Sequence, residues 1–153
     1  MSKDQLSVKT TSLESTLSLG SKLGQNLKGG EVIELASDLG GGKTSLVKGI
    51  VAGTGCSDLV SSPSFTICNQ YQSPRFTIYH FDFYRLNDPG IIRRELVEVL
   101  GDKQAVVIIE WPSVIESALP QERLSISLNV EDEKTRDINF SFSHSLHYLV
   151  KGL

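Results

Sequence analysis

The sequence predicts an α/β fold of the P-loop type, a single sheet flanked by helices and ending in an antiparallel hairpin. Three observations point there. A short apolar run, Glu31 to Ala36, stops abruptly at the loop Ser37-Asp38-Leu39-Gly40-Gly41-Gly42-Lys43-Thr44. Two further apolar runs, Phe76 to Asp82 and Ala105 to Glu110, each close on a carboxylate. Stretches of helical spacing separate these runs, and strands alternating with helices give a sheet whose ligand sits at the strand ends.

The elements follow in order. Thr11-Ser-Leu-Glu14 reads as a capping box, in which hydroxyl and carboxylate each satisfy a free amide at a helix start. Leu13, Leu17, Leu23 and Leu27 recur near helical spacing, and Gly29-Gly30 end that helix. The run before the glycine-rich loop is a buried strand. Thr44 to Ala52 is a helix closed by Gly53 and Gly55. Phe76 to Asp82 and Ala105 to Glu110 are strands, with a helix carrying Ile91, Ile92, Leu96, Val99 and Leu100 between them. Leu124, Ile126, Leu128 and Val130 alternate with polar residues, as do Ile138, Phe140 and Phe142. The charged turn Glu131 to Lys134 joins the two into a hairpin.

Composition narrows the function. The chain has 153 residues, 39% hydrophobic and 22% charged, which suits one domain with a single core over residues 1–153. A net charge of -3 argues against gripping nucleic acid by phosphate neutralisation, so any RNA is expected to be met through a partner. Cys56 and Cys68 form no CxxC motif and read as free thiols of a cytosolic protein. The first residues lack the apolar stretch of a signal peptide, and the run Ala105 to Ile109 is far too short to span a membrane. The expected location is the cytoplasm.

The loop carries the chemistry. Backbone amides must converge on phosphate oxygens, and Gly40, Gly41 and Gly42 leave room for that approach. Lys43 can reach the outer phosphates, the Thr44 hydroxyl can ligate magnesium, and the helix N-terminus adds its dipole. The motif G-x-x-x-x-G-K-[ST] has Gly where this chain has Ser37, which fits only with a negative φ. Asp82 and Glu110, each closing a buried strand, are candidates to hold magnesium or orient a nucleophile, and Asp38 is a third. Each of the two strand-end acids can also be read as a plain surface acid. Arg85 could meet a phosphate or form a structural ion pair. His80 reads as a core or strand-face residue and Trp111 as an ordinary core aromatic.

An ordered series of motifs resembles one family. It runs from Thr16-Leu-Ser-Leu-Gly20 through Asp38-Leu-Gly-Gly-Gly-Lys-Thr44 to Ser62-Pro-Ser-Phe-Thr66. It continues with Tyr79-His-Phe-Asp-Phe-Tyr-Arg-Leu86, Asp88-Pro89 and Ile109-Glu-Trp-Pro112, and ends at Arg136. Together these resemble the TsaE family (formerly YjeE), P-loop ATPases of bacterial tRNA threonylcarbamoyladenosine biosynthesis.

The resemblance implies that Asp38, Leu39, Gly40, Gly41, Gly42, Lys43, Thr44 and Ser45 bind ATP, with Leu13, Thr16 and Arg136 approaching the nucleotide. It implies that Thr44 and Glu110 handle Mg2+, that Asp82 serves the metal or the attacking water, and that Ser62 to Thr66 is a switch-like loop. It further implies TsaB and TsaD partners, which transfer the threonylcarbamoyl group to adenine 37 of tRNA while the ATPase supports their turnover. This chain departs from the family pattern at Ser37 and Ser61, at Asn69-Gln70, and in Gly90-Ile-Ile-Arg-Arg94, where an acidic pair is usual. The rival reading is a small-molecule kinase using Asp82-Phe-Tyr-Arg85, but only Arg93-Arg94 could form an arginine-rich lid. No NKxD-like motif supports a GTPase. A nucleotide-holding switch without turnover is the third reading.

Overall fold

The strand that leads into the glycine-rich loop lies inside one sheet. The computed structural model describes residues 3–37, 42–63, 67–84 and 90–153. Its elements are β1 (Asp4–Thr10), α1 (Leu13–Asn26), β2 (Val32–Ala36), α2 (Lys43–Gly53), β3 (Cys68–Gln72) and β4 (Thr77–Asp82). There follow α3 (Gly90–Val99), β5 (Ala105–Glu110), a 3₁₀ segment (Pro112–Ala118), β6 (Leu124–Val130), β7 (Arg136–Phe142) and a second 3₁₀ segment (His144–Val150). The strands form a 7-stranded sheet in the order β1-β7-β6-β2-β5-β4-β3. β2 is parallel to both β5 and β6, and β4 is parallel to β5; β1, β3 and β7 pair antiparallel with their neighbours. The expected α/β sheet and its hairpin β6–β7 are therefore present, in a mixed rather than parallel sheet.

The order explains where a ligand can sit. The chain leaves β2 between β5 and β6, so the connections on either side diverge and open a crevice at the strand ends. β5 is buried along its whole length, as a continuous run of Val and Ile requires when both faces are covered, and β2 is buried at Val32, Ile33 and Leu35. On one face Ile33, Leu35, Ile78, Val106 and Ile108 pack with Leu23, Leu46 and Ile50 of α1 and α2. On the other, Val32, Phe81, Val107 and Ile109 pack with Leu96 of α3 and Ile115.

Helix α1 begins one residue later than the Thr11–Glu14 box suggests. Ser12 is the N-cap: its Oγ accepts from the Ser15 N–H at 3.0 Å, and the Ser12 N–H donates to Ser15 Oγ at 3.0 Å. The Ser15 hydroxyl thus does what Glu14 was expected to do, and it can because it also reaches back one turn. Glu14 remains in the first turn, where its charge favours the helix dipole.

α1 and α2 meet through glycines on both sides. A Cβ on Gly20 would lie 2.6 Å from Leu46 O, and one on Gly24 would lie 2.1 Å from Ile50 O. In return, a Cβ on Gly49 would lie 2.4 Å from Leu17 O, and one on Gly53 2.2 Å from Ser21 O. Only hydrogen fits in these gaps. Gly53 is therefore a packing residue and the last residue of α2, with Thr54 as its C-cap.

Two strands were not expected. β1 pairs along its length with β7, from Asp4 opposite Phe142 to Thr10 opposite Arg136. β3 lies at the other edge, and side chains hold it there. Tyr71 Oη donates to Ser61 O at 3.2 Å, Asn69 Nδ2 donates to the same carbonyl at 3.2 Å, and Asp58 Oδ2 accepts from the Gln72 N–H at 3.1 Å.

Candidate functional site

Lys43 is the first residue of α2, and Gly42 before it takes a left-handed φ of 97° that turns the chain into the helix. Its side chain does not run into solvent. Lys43 is only 7% exposed, and its Nζ donates to Ser37 O at 3.2 Å and Ser37 Oγ at 3.3 Å. The ammonium is therefore bound to the residue that directly follows β2. The central loop residues Asp38, Leu39, Gly40 and Gly41 lie outside the described residues. Among the described residues, positive φ at non-glycine positions occurs at Ile67 and Trp111 and not at Ser37, as a serine in that place requires.

Trp111 is not the core aromatic its type suggested. It is half-buried, and its φ of 56° turns the chain sharply after β5. That turn sets the indole face 4.7 Å from Lys43 Nζ, a cation–π contact, and 4.9 Å from the ring of Tyr84. The lysine is thus steadied by Ser37, just past β2, and by Trp111, just past β5.

Two carboxylates meet at the ends of neighbouring strands, and one of them, Glu110, directly precedes Trp111. Asp82 and Glu110 are register partners at the ends of the parallel strands β4 and β5, and both are buried. Strand alternation places His80, Asp82 and Glu110 on the face shared with Ile78, Val106 and Ile108, the face that carries α2. Asp82 Oδ1 accepts from the Tyr84 N–H at 2.9 Å, and the Asp82 N–H donates to Ile67 O at 2.8 Å. Ile67 itself has a φ of 69°, a strained value for a β-branched residue. Glu110 Oε2 lies 2.5 Å from His80 Nε2. Both acids are therefore buried and hydrogen-bonded, unlike surface acids at a strand end. His80 is wholly buried, as its strand position suggested, but it is also a polar partner of the site. Its spacing two residues before Asp82 was the available signal, since period two puts both on one face.

A separate cleft of about 410 Å³ opens at the N-terminus of α1. It is lined by Leu13, Thr16, Gly42, Ser45, Glu133 and Arg136, among others. Leu13, Thr16, Gly42, Ser45 and Arg136, scattered in sequence, are thus brought to one place. Leu13 is 61% exposed, an apolar side chain offered to solvent at the rim. Arg136 is fixed by donating from Nη1 to the carbonyls of Asp132, Glu133 and Thr135 at 2.8, 3.3 and 3.1 Å. Thr44 follows Lys43 in the first turn of α2 and is half-buried. Arg85 and the segments 64–66 and 86–89 lie outside the described residues.

Fold and loop define a P-loop-like α/β protein. Its relatives are specific. The pattern of the family described as "Threonylcarbamoyl adenosine biosynthesis protein TsaE" matches residues 10–138, and the chain belongs to that family. It is 36% identical over 142 residues to the tRNA threonylcarbamoyladenosine biosynthesis protein TsaE of Bacillus subtilis, covering 90% of this chain and 85% of that one. It is 36% identical over 129 residues to the TsaE of Nostoc sp., covering 80% and 77%. The crystal structure of Bacillus subtilis YdiB superposes with a TM-score of 0.81 at 31% identity, over 98% of this chain and 93% of that one.

Proposed function

We propose that this chain is the ATP-binding, ATP-hydrolysing member of the tRNA threonylcarbamoyladenosine system, acting with TsaB- and TsaD-like partners in the cytoplasm. The observation that carries the reading is the placement of Lys43. Its ammonium is held between Ser37 and Trp111 at the loop, at the strand ends where Asp82 and Glu110 stand side by side. A fixed cation held against the residue that follows Glu110, with Asp82 paired to Glu110 across the strands, suits an anionic ligand that brings a divalent metal with it. The membership in the family, and the names its relatives carry, supply the pathway. Among the described residues no helix is long and apolar enough to cross a membrane.

The residues present fit ATP and magnesium. Thr44, Asp82 and Glu110 are hard oxygen donors of the kind magnesium prefers. Among the described residues no group of three or more His, Cys, Asp or Glu side chains could hold a metal alone. Magnesium bound here would be held by a hydroxyl and one or two carboxylates and completed by phosphate oxygens and water. When bound, the ion would neutralise phosphate charge that builds up during transfer. In the chain itself, Lys43 and the loop amides bind the phosphates and Thr44 and Glu110 hold the metal. Asp82 orients the attacking water. The cleft of Leu13, Thr16, Ser45 and Arg136 takes the nucleoside, with Leu13 giving it an apolar contact.

The test is phosphate release by the purified chain, alone and with TsaB and TsaD homologues. The isolated chain is expected to be slow, because a stabilising arginine supplied in trans contributes ~10³–10⁵ in rate where such a residue is used. The partners should raise turnover or need ATP to assemble. Tight tRNA binding by the isolated chain, with indifference to those partners, would overturn the reading. Consumption of ATP only with a small acceptor would favour a kinase.

A further inference from the structure

We propose that His80 is the positioning residue for Glu110, fixing one oxygen of that carboxylate so that the other faces the phosphate site. The inference rests on the reading of Glu110 as a metal- or water-handling carboxylate. His80 is 0% exposed and its Nε2 lies 2.5 Å from Glu110 Oε2, while Asp82, two residues on, is the register partner of Glu110. The three side chains share one sheet face at the ends of adjacent parallel strands.

A carboxylate oxygen accepts, and with the imidazole in its Nε2–H tautomer the bond runs from Nε2 to Oε2 of Glu110. The other nitrogen, Nδ1, is buried with no hydrogen-bond partner among the described residues. In the Nε2–H tautomer that position is a bare lone pair, and a buried acceptor left alone is better tolerated than a buried N–H. The imidazole therefore has one polar contact to the protein in the described structure, and it is to Glu110.

The geometry asks for a donor on a rigid plane. β4 fixes the histidine backbone opposite Ile108 of β5, full burial leaves its ring no solvent to turn into, and Nε2 then fixes Oε2 of Glu110. A carboxylate so held cannot turn away from the site when a cation arrives, which lowers the ordering cost of binding it. His80 touches neither phosphate nor metal on this reading; it acts through Glu110.

The experiment uses the full chain and the variants His80→Phe, His80→Gln, His80→Asn and Glu110→Gln. Phosphate release gives kcat and KM, and the fluorescence of Trp111 reports ATP binding as Mg2+ is titrated. His80→Phe keeps a ring and removes the donor. It should lower kcat about 10- to 100-fold, leave KM for ATP nearly unchanged, and raise the Mg2+ needed for half-maximal tightening of ATP binding by a similar factor. His80→Gln, whose amide can reach the place of Nε2, should recover most of both; His80→Asn, one carbon shorter, should not. In a Glu110→Gln background, His80→Phe should cost nothing further, because its partner is already gone. Wild-type kcat and Mg2+ requirement in folded His80→Phe would overturn the proposal, as would losses that simply add to those of Glu110→Gln. If His80→Phe does not fold, His80→Asn decides: unchanged turnover and Mg2+ requirement there overturn it equally. If Glu110→Gln itself retains full turnover, the role given to Glu110 falls, and this inference falls with it for that separate reason.

Discussion

Lys43 Nζ lies 4.7 Å above the ring of Trp111, although the two residues come from different βα connections. The contact explains, together with the two hydrogen bonds to Ser37, how the ammonium of a lysine that is only 7% exposed is held in place. It also explains why the single tryptophan of the chain does not fill the core.

Lys43→Ala is expected to weaken ATP binding about 10- to 150-fold, the equivalent of a lost hydrogen bond to a charged group worth about 1.5–3 kcal/mol. The fold should survive, since the ammonium contributes two hydrogen bonds to Ser37 and none to the hydrophobic core. Isothermal titration measures the affinity, and circular dichroism checks the fold. Unchanged affinity in a folded variant would remove the loop from the nucleotide site.

Asp82→Asn and Glu110→Gln test the paired acids. Each should lower hydrolysis by about tenfold or more while changing ATP affinity less, because metal and water positioning dominate phosphoryl transfer. The side chains are isosteric and both positions are hydrogen-bonded, so the variants should remain folded. Full turnover in either one would reduce that residue to a buried structural acid.

Much of this was legible because each signal was local. The continuous apolar runs of β2 and β5, the alternation in β6 and β7, and the glycine-rich loop between strand and helix are periodic patterns within single elements. What the sequence hid depended on contacts between elements. β3 has one buried side chain, Tyr71, and little alternation; it is a strand because Ser61 and Asp58 tie its edge. β1 was hidden less well, since Leu6, Val8 and Thr10 alternate beside charged residues. The His80–Glu110 bond spans thirty positions and could be suspected only once β4 and β5 were known to be parallel neighbours. Trp111 was misplaced because residue type alone says nothing of a positive φ.

Cys68 should be a poor nucleophile. Burial, with a smaller push from Glu95, raises its thiol from 9.0 to about 12, so little thiolate exists near pH 8. Alkylation by iodoacetamide at that pH is expected to be at least about tenfold slower in the native chain than in urea. The sign for stability follows from the raised value. The folded state keeps its proton where the unfolded thiol loses it, so this contribution is complete below pH 9 and is lost as pH rises toward 12. Rapid native alkylation of Cys68, mapped by mass spectrometry, would show that the thiol is open to solvent.

Gly24→Ala tests how the fold holds the site together. In an isolated helix the change would favour α1 by about 0.5–1 kcal/mol, because alanine loses less backbone entropy. Here the added Cβ would lie 2.1 Å from Ile50 O, a carbonyl in the middle of α2 that no side-chain rotation can move. The helices must separate, and overpacking of this kind costs about 1–3 kcal/mol or more. The contact should win over the propensity, so the midpoint of urea unfolding should fall. The same separation has a functional consequence. α1 carries Leu13 and Thr16 and α2 carries Ser45, and the cleft exists only while both helix starts stay in place. Gly20→Ala, nearer that end and 2.6 Å from Leu46 O, should therefore weaken nucleotide binding more than Gly24→Ala for a comparable loss of stability. Equal affinity in both variants and the parent would mean that the cleft does not take the nucleoside. A rise in the unfolding midpoint for Gly24→Ala would mean that the helices are not in such close contact.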